Sequence, residues 1–206
     1  MSKAGTGVAP AIVVICAVCL GTGGVAHAVE ALYSEGANPV LSLMAEEGVN
    51  RMINALPQMV AEPGNVSGRD DALLGAWLCA VCLGTGGVAL HHKLAHVLGG
   101  SFNLPHAETH TAILPHALAY NAPAVPEAMK ILARATGSDD PAAQLYDVPQ
   151  KAGATMALRD FGMPEEGIDR AVKITLESPY PNPRDFDEAA LRKMLQAAWA
   201  GERPKI

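Results

Sequence analysis

Aromatic side chains are scarce in this chain, 4% of its 206 residues, and charge is thin at 17%. A β-sandwich draws on aromatic and β-branched residues, so the aromatic shortage argues against that class. Low charge beside an apolar fraction of 50% argues against disorder. Lysine and arginine number 15 against 21 acidic residues, for a net charge of −6, and no basic stripe runs anywhere. A phosphate backbone therefore finds nothing to bind, and nucleic acid is not an expected partner. Four cysteines in a chain this long do not demand disulfides, so a reduced, cytoplasmic protein is the default expectation. Alanine, leucine and methionine are plentiful instead, which is the composition of packed helices around one sizeable core.

The N-terminus has the outline of a secretory signal: one early lysine, an apolar run, and Ala26-His27-Ala28 in place of a cleavage site. Residues 8–26 also carry no charge and nearly reach bilayer length. A single cation and five glycines within the first 24 residues argue against both export and a membrane partner.

All four cysteines lie in two identical copies of CAVCLGTGGVA, residues 16–26 and 79–89. Paired CxxC motifs are the outline of a four-thiolate zinc site. Here both pairs sit in continuous apolar sequence, where Cys at i and i+3 serves as a small hydrophobe on one helix face. The first copy also fits G-x-G-x-x-A after a β-branched run, the outline of a dinucleotide loop. The acidic residues about 20 positions on, Glu46 and Glu47, fall inside a helical pattern, which weakens that fit. The remaining reading is a packing cassette.

Elsewhere the pattern is helical. Asn38-Pro39 reads as an N-cap followed by proline in the first turn, and Leu41, Met44, Val49 and Met52 follow at helical spacing. Residues 61–70 read as a loop. Residues 70–98 hold no proline and read as one long, mostly buried helix or two abutting ones. A helix from Pro105 is expected to pause near Pro115, and further helices end at Gly137 and Gly201. The stretch TMALRDFG reads as another helix, and SPYPNPRD as an extended connector. Only residues 12–20 suggest a strand.

Six of the seven histidines fall between residues 90 and 116. His92 and His96, four apart, share a helix face, and His106 opens the next helix after a glycine break. His27 follows the first cassette. Imidazoles converging from three segments suit a divalent metal, proton transfer, or both.

At these residues the chain becomes recognisable. The stretches HHKLAHVLGGSFNLPHAETHTAILPHALAYNAPA, HAVEALYSEGANPVLSLMAEEG and PYPNPR resemble the iron-containing alcohol dehydrogenase superfamily, and within it the maleylacetate reductase branch, over residues 25–204. The resemblance implies a mainly α fold: the helical C-terminal domain of the dehydroquinate synthase-like type, without the N-terminal α/β nucleotide-binding domain. Residues 1–24 are then an apolar, glycine-rich lead-in and 25–206 the all-helical domain.

The resemblance further implies metal ligands at His27, His92 and His106, with iron or zinc as the ion. The carboxylate expected four residues before His27 is Gly23, so three neutral imidazoles would leave the ion's charge uncompensated. The maleylacetate reductase branch dispenses with that metal. NAD(P)H is the implied cofactor, with His96 near the nicotinamide and His106 also on the cofactor side. The implied reaction reduces maleylacetate, a small dicarboxylate, to 3-oxoadipate in aromatic-compound breakdown. His96 and Lys93 are the candidates for stabilising charge on the substrate ketone; Lys93 alternatively holds a substrate carboxylate or is a plain surface lysine. Turnover by this chain alone is not expected, and a homodimer or a separate nucleotide-binding domain is the implied partner. Two other readings stay open: a non-catalytic helical fragment or partner subunit, and a histidine-rich metal-binding module.

Overall fold

The computed structural model describes residues 21–206, and among these no strand occurs. Residues 21–31 are helical (α1). Then follow α2 (Pro39–Ala61), α3 (Val66–Gly86), α4 (Leu90–Phe102), α5 (His106–Asn121), α6 (Pro126–Thr136), α7 (Pro141–Lys151), α8 (Gly167–Glu177) and α9 (Glu188–Ala200). The expected mainly α class is observed.

Local chemistry sets most ends. Asn38 Oδ1 accepts from the amides of Val40 and Leu41, both at 3.1 Å, and Pro39 occupies the first turn of α2. Asp140 and Asp187 cap α7 and α9 in the same way, accepting from Ala143 N and Ala190 N. Helices α6 and α9 stop at Gly137 and Gly201, whose φ values of 65° and 73° favour a residue without Cβ.

Four elements differ from expectation. Asn65 accepts from Gly68 N at 2.9 Å and starts α3 at Val66, inside the expected loop. Residues 70–98 are two helices, α3 and α4, the second of the expected alternatives, bent by 95° at their junction; what differs is that α3 is not mostly buried, with Leu73 and Trp77 70% and 58% exposed. Helix α5 runs through Pro115 to Asn121. Proline costs a helix interior about 3 kcal/mol, but twelve residues of α5 are buried and their packing offsets it. The stretch TMALRDFG forms only a short 3₁₀ turn, Leu158–Phe161.

Helix α5 separates two cores. Leu114 and Leu118 join the core built with α1, α2, α6 and α7. Ala112, Ile113, Ala117 and Tyr120 join the other, with α4, α8 and α9. The helix that carries the buried His110 and His116 is thereby packed from both sides.

The second cassette copy is packing material. Cys79 and Cys82 are buried free thiols on one face of α3, and burial pushes Cys79 up to about 12. Among the described residues, the group of side chains close enough to hold a metal ion contains neither cysteine. A Cβ on Gly86 would meet the Ala31 Cβ at 2.7 Å, so this glycine admits α1 against the end of α3. Gly87, at φ 89°, then turns the chain into α4. The first copy's cysteines, and the run at 12–20, lie outside the described residues. Its Gly21–Ala26 portion is helical, which does not suit a dinucleotide loop. Among the described residues, no single helix is long and apolar enough to cross a membrane.

Candidate functional site

Helices α1, α4 and α5 bring six histidines together. His27 comes from α1; His91, His92 and His96 from α4; His106 and His110 from α5. His27 stacks on His92 with ring centres 4.8 Å apart and planes 20° from parallel. His92 lies edge-on to His110 at 5.2 Å and to His96 at 6.3 Å, while His106 meets His110 at 4.3 Å. His91, His92 and His110 are buried, whereas His96 and His106 are exposed. His116 stands apart, edge-on to Tyr146.

Glu30, which sequence reasoning did not single out, organises the cluster. It is fully buried on α1 and accepts from three donors: Ala89 N at 2.7 Å, His91 N at 2.6 Å and His92 Nδ1 at 2.6 Å. The first two are unpaired amides at the start of α4, which a carboxylate also favours electrostatically. Leu90 N between them is taken by Asn182 Oδ1 at 3.3 Å.

The hydrogen bonds assign tautomers. A carboxylate accepts only, so His92 carries a proton on Nδ1. His91 Nε2 faces the His110 carbonyl at 3.0 Å and must donate, which leaves its Nδ1 as a lone pair 3.4 Å from the His92 Nδ1 whose proton Glu30 takes. The Nε2 atoms of His92 and His110 are buried without a hydrogen-bond partner.

Burial and mutual repulsion hold four of these imidazoles, His27, His91, His96 and His110, below their ordinary value. His27 is lowered to about 4 by burial and then by His92 and His106, and His110 to about 3 by the same causes. Buried His91 lies well below its ordinary value, and His96 is lowered, again mainly by burial.

At the exposed edge, Tyr180 ties two candidates together. His96 Nδ1 is 3.2 Å from its hydroxyl, and Lys93 Nζ sits 5.2 Å from its ring centre. Lys93 is buried, 7% exposed, so it is no surface lysine. The connector that carries Tyr180 is anchored by a reciprocal amide pair, Asn121 to Asn182 at 2.9 and 2.8 Å. Tyr120 holds the same connector, donating to Asp185 O and accepting from Asp187 N.

The donor set can be weighed against a divalent ion. Neutral imidazoles with two free Nε2 atoms suit a transition metal in kind. However, His27 and His92 are stacked, so their in-plane lone pairs do not meet at one point. Atoms of His91, His92 and His110 lie within 4.8 Å of one another, yet the one free nitrogen of His91, Nδ1, faces the His92 Nδ1–H at 3.4 Å. The one carboxylate in contact with these rings, Glu30, is spent on two amides and a ring N–H. This arrangement does not fit a tightly held dication. A Cβ at Gly23 would meet only the His110 Cβ, at 3.7 Å, so residue 23 faces the cluster and offers it nothing.

Residues 21–199 match the model of the Fe-containing alcohol dehydrogenase family, C-terminal. The chain belongs to this family. It is 51% identical over 180 residues to the maleylacetate reductase of Pseudomonas knackmussii, covering 87% of this chain and 51% of the relative. It is 48% identical over 187 residues to that of Sphingobium indicum, covering 91% of this chain and 53% of the relative. The crystal structure of maleylacetate reductase from Rhizobium sp. strain MTP-10005 superposes with a TM-score of 0.89 at 43% identity, covering 93% of this chain and 54% of that one. The chain thus spans about half the length of the relatives it matches. Its helices are the C-terminal helical domain of the iron-containing alcohol dehydrogenase fold.

Proposed function

We propose that this chain is the helical half of an NAD(P)H-dependent reductase acting on maleylacetate. The observation that carries this reading is the Lys93–His96–Tyr180 group at the accessible edge of the histidine cluster. Similarity to maleylacetate reductases near 50% identity supports the substrate.

When bound, NAD(P)H supplies the hydride; this chain's residues receive the charge that follows. Hydride addition to a C=C bond conjugated with a ketone drives negative charge onto the ketone oxygen. A buried ammonium in a low-dielectric site stabilises such an oxyanion strongly, and Lys93 is so placed. His96 is neutral near pH 7, so it acts as a hydrogen-bond donor or acceptor rather than as a standing charge. Tyr180 fixes the ring orientation of His96 through its hydroxyl and the ammonium of Lys93 through its face. Glu30 sets the position of α4, which carries both. No step needs a metal, consistent with the poor fit of the imidazoles to a dication.

The test is NADH oxidation with maleylacetate, for the chain alone and mixed with the nucleotide-binding half of a relative. Lys93→Gln is expected to lose rate in the mixture with the fold intact. A mixture in which Lys93→Gln is as active as the parent would overturn the assignment.

A further inference from the structure

Toward the C-terminal end of α5, away from His106, lies a cavity of about 530 Å³. Four cations line it, Arg184, Lys193, Arg203 and Lys205, against a single carboxylate, Glu202. Asp147 already holds Arg203 through two hydrogen bonds at 2.8 and 2.9 Å. Arg184 is fixed with its guanidinium 4.2 Å from the Tyr120 ring centre and one N–H on the Tyr120 carbonyl. Its remaining donors and the exposed Lys193 and Lys205 are left for a ligand.

His116 adds an independent observation. It lines this cavity, is only 2% exposed, and its Nε2 has no hydrogen-bond partner. Leaving a buried polar atom unpaired costs about 1–3 kcal/mol, which a ligand oxygen would relieve by accepting from an Nε2–H. Burial lowers His116 to about 4, so it meets that ligand as a neutral donor. The remaining wall, including Ala119 and Met194, is apolar. Cations on one side and methyl groups on the other match a small organic dianion with a carbon body.

We infer that this cavity is a binding site for a small dicarboxylate, held by Arg184, Lys193 and Lys205 with His116 beneath, separate from the Lys93–His96 edge. Along α5, His116 is ten residues from His106, a rise of about 15 Å at ~1.5 Å per residue. Arg184 also sits on the connector that delivers Tyr180 to His96, so occupancy here would brace that connector.

The experiment titrates the full chain with succinate, inorganic phosphate and the uncharged isostere succinamide. It reads calorimetry and the side-chain ¹⁵N signals of His116. Succinate is expected to bind one to one with Kd of about 1 mM or tighter, moving the His116 Nε2 signal, and succinamide is not. Lys193→Gln/Lys205→Gln should weaken succinate at least about tenfold, as loss of charge-assisted contacts requires, while Lys93→Gln/His96→Gln leaves it unchanged. His116→Gln, checked for an unchanged circular dichroism spectrum, should weaken it as well. Phosphate binding more tightly than succinate would overturn the dicarboxylate assignment. So would succinate binding weaker than about 10 mM, or binding lost in the Lys93/His96 pair but kept in the lysine double variant.

Discussion

Glu30 and His92 are 62 positions apart in sequence and 2.6 Å apart in space, and their contact fixes both the start of α4 and the tautomer of its central histidine. The same carboxylate holds two α4 amides, so the helix and the histidine cluster stand or fall together. Glu30→Gln is expected to cost about 1–3 kcal/mol, the price of an imperfectly satisfied buried group, and Glu30→Ala about 3–5 kcal/mol. Urea unfolding measures both. A ¹⁵N spectrum should show His92 losing its uniform Nδ1–H form in either variant, and an unchanged tautomer would contradict the assignment.

Acid should unfold this chain through its histidines. His27 and His116 lie near 4 and His110 near 3 in the folded state, against an ordinary value of 6.5. Below that ordinary value the unfolded chain binds protons that the folded chain refuses, so stability falls as pH drops. The contribution is complete above about pH 6.5 and is lost progressively down to about 4 for His27 and His116, and to about 3 for His110. Urea midpoints between about pH 7 and about pH 5 should fall steadily, and His116→Gln should flatten that slope. A slope unchanged by the substitution would show that His116 does not titrate with folding.

Gly23 faces the cluster without supplying a ligand. Gly23→Asp should raise Zn²⁺ affinity by at least about tenfold, because it adds an anionic donor to neutral imidazoles. Gly24→Asp is the control, since a Cβ there has nothing within 4 Å. Calorimetry decides it; equal gains in both variants would mean that position 23 does not reach the histidines.

The cassette makes its own prediction. Gly86→Ala drives a methyl into the Ala31 Cβ at 2.7 Å and should destabilise by about 1–3 kcal/mol. Gly84→Ala, in open space on the same helix, should stabilise by about 0.5–1 kcal/mol. The two measurements bracket the claim that this repeat serves packing.

Much of this fold is legible because its signals are local. Asn38 with Pro39, Asp187, Gly137 and Gly201 mark helix ends by chemistry that acts within a turn. The α3–α4 bend was less legible because Gly87 sits in an unbroken apolar run, where periodicity carries no mark of direction. Pro115 misleads for the opposite reason: the burial that keeps α5 continuous comes from both cores and is invisible locally. In the site, the spacing of His92 and His96 announces a shared face. Glu30 looks like any helical glutamate until its partners, 59 to 62 residues away, are in place. Tyr180 lies in a proline-rich connector whose course depends on Asn121 and Asn182 meeting across 61 residues.

The most direct test of the central claim is maleylacetate-dependent NADH oxidation by this chain mixed with the nucleotide-binding half of a relative. His96→Ala is expected to reduce kcat by about 10²–10⁴, the range for a residue acting on a proton or developing charge. Tyr180→Phe, which keeps the ring under Lys93 and removes the hydroxyl from His96, should give a smaller loss, about tenfold. Full activity in the His96→Ala mixture would contradict the account.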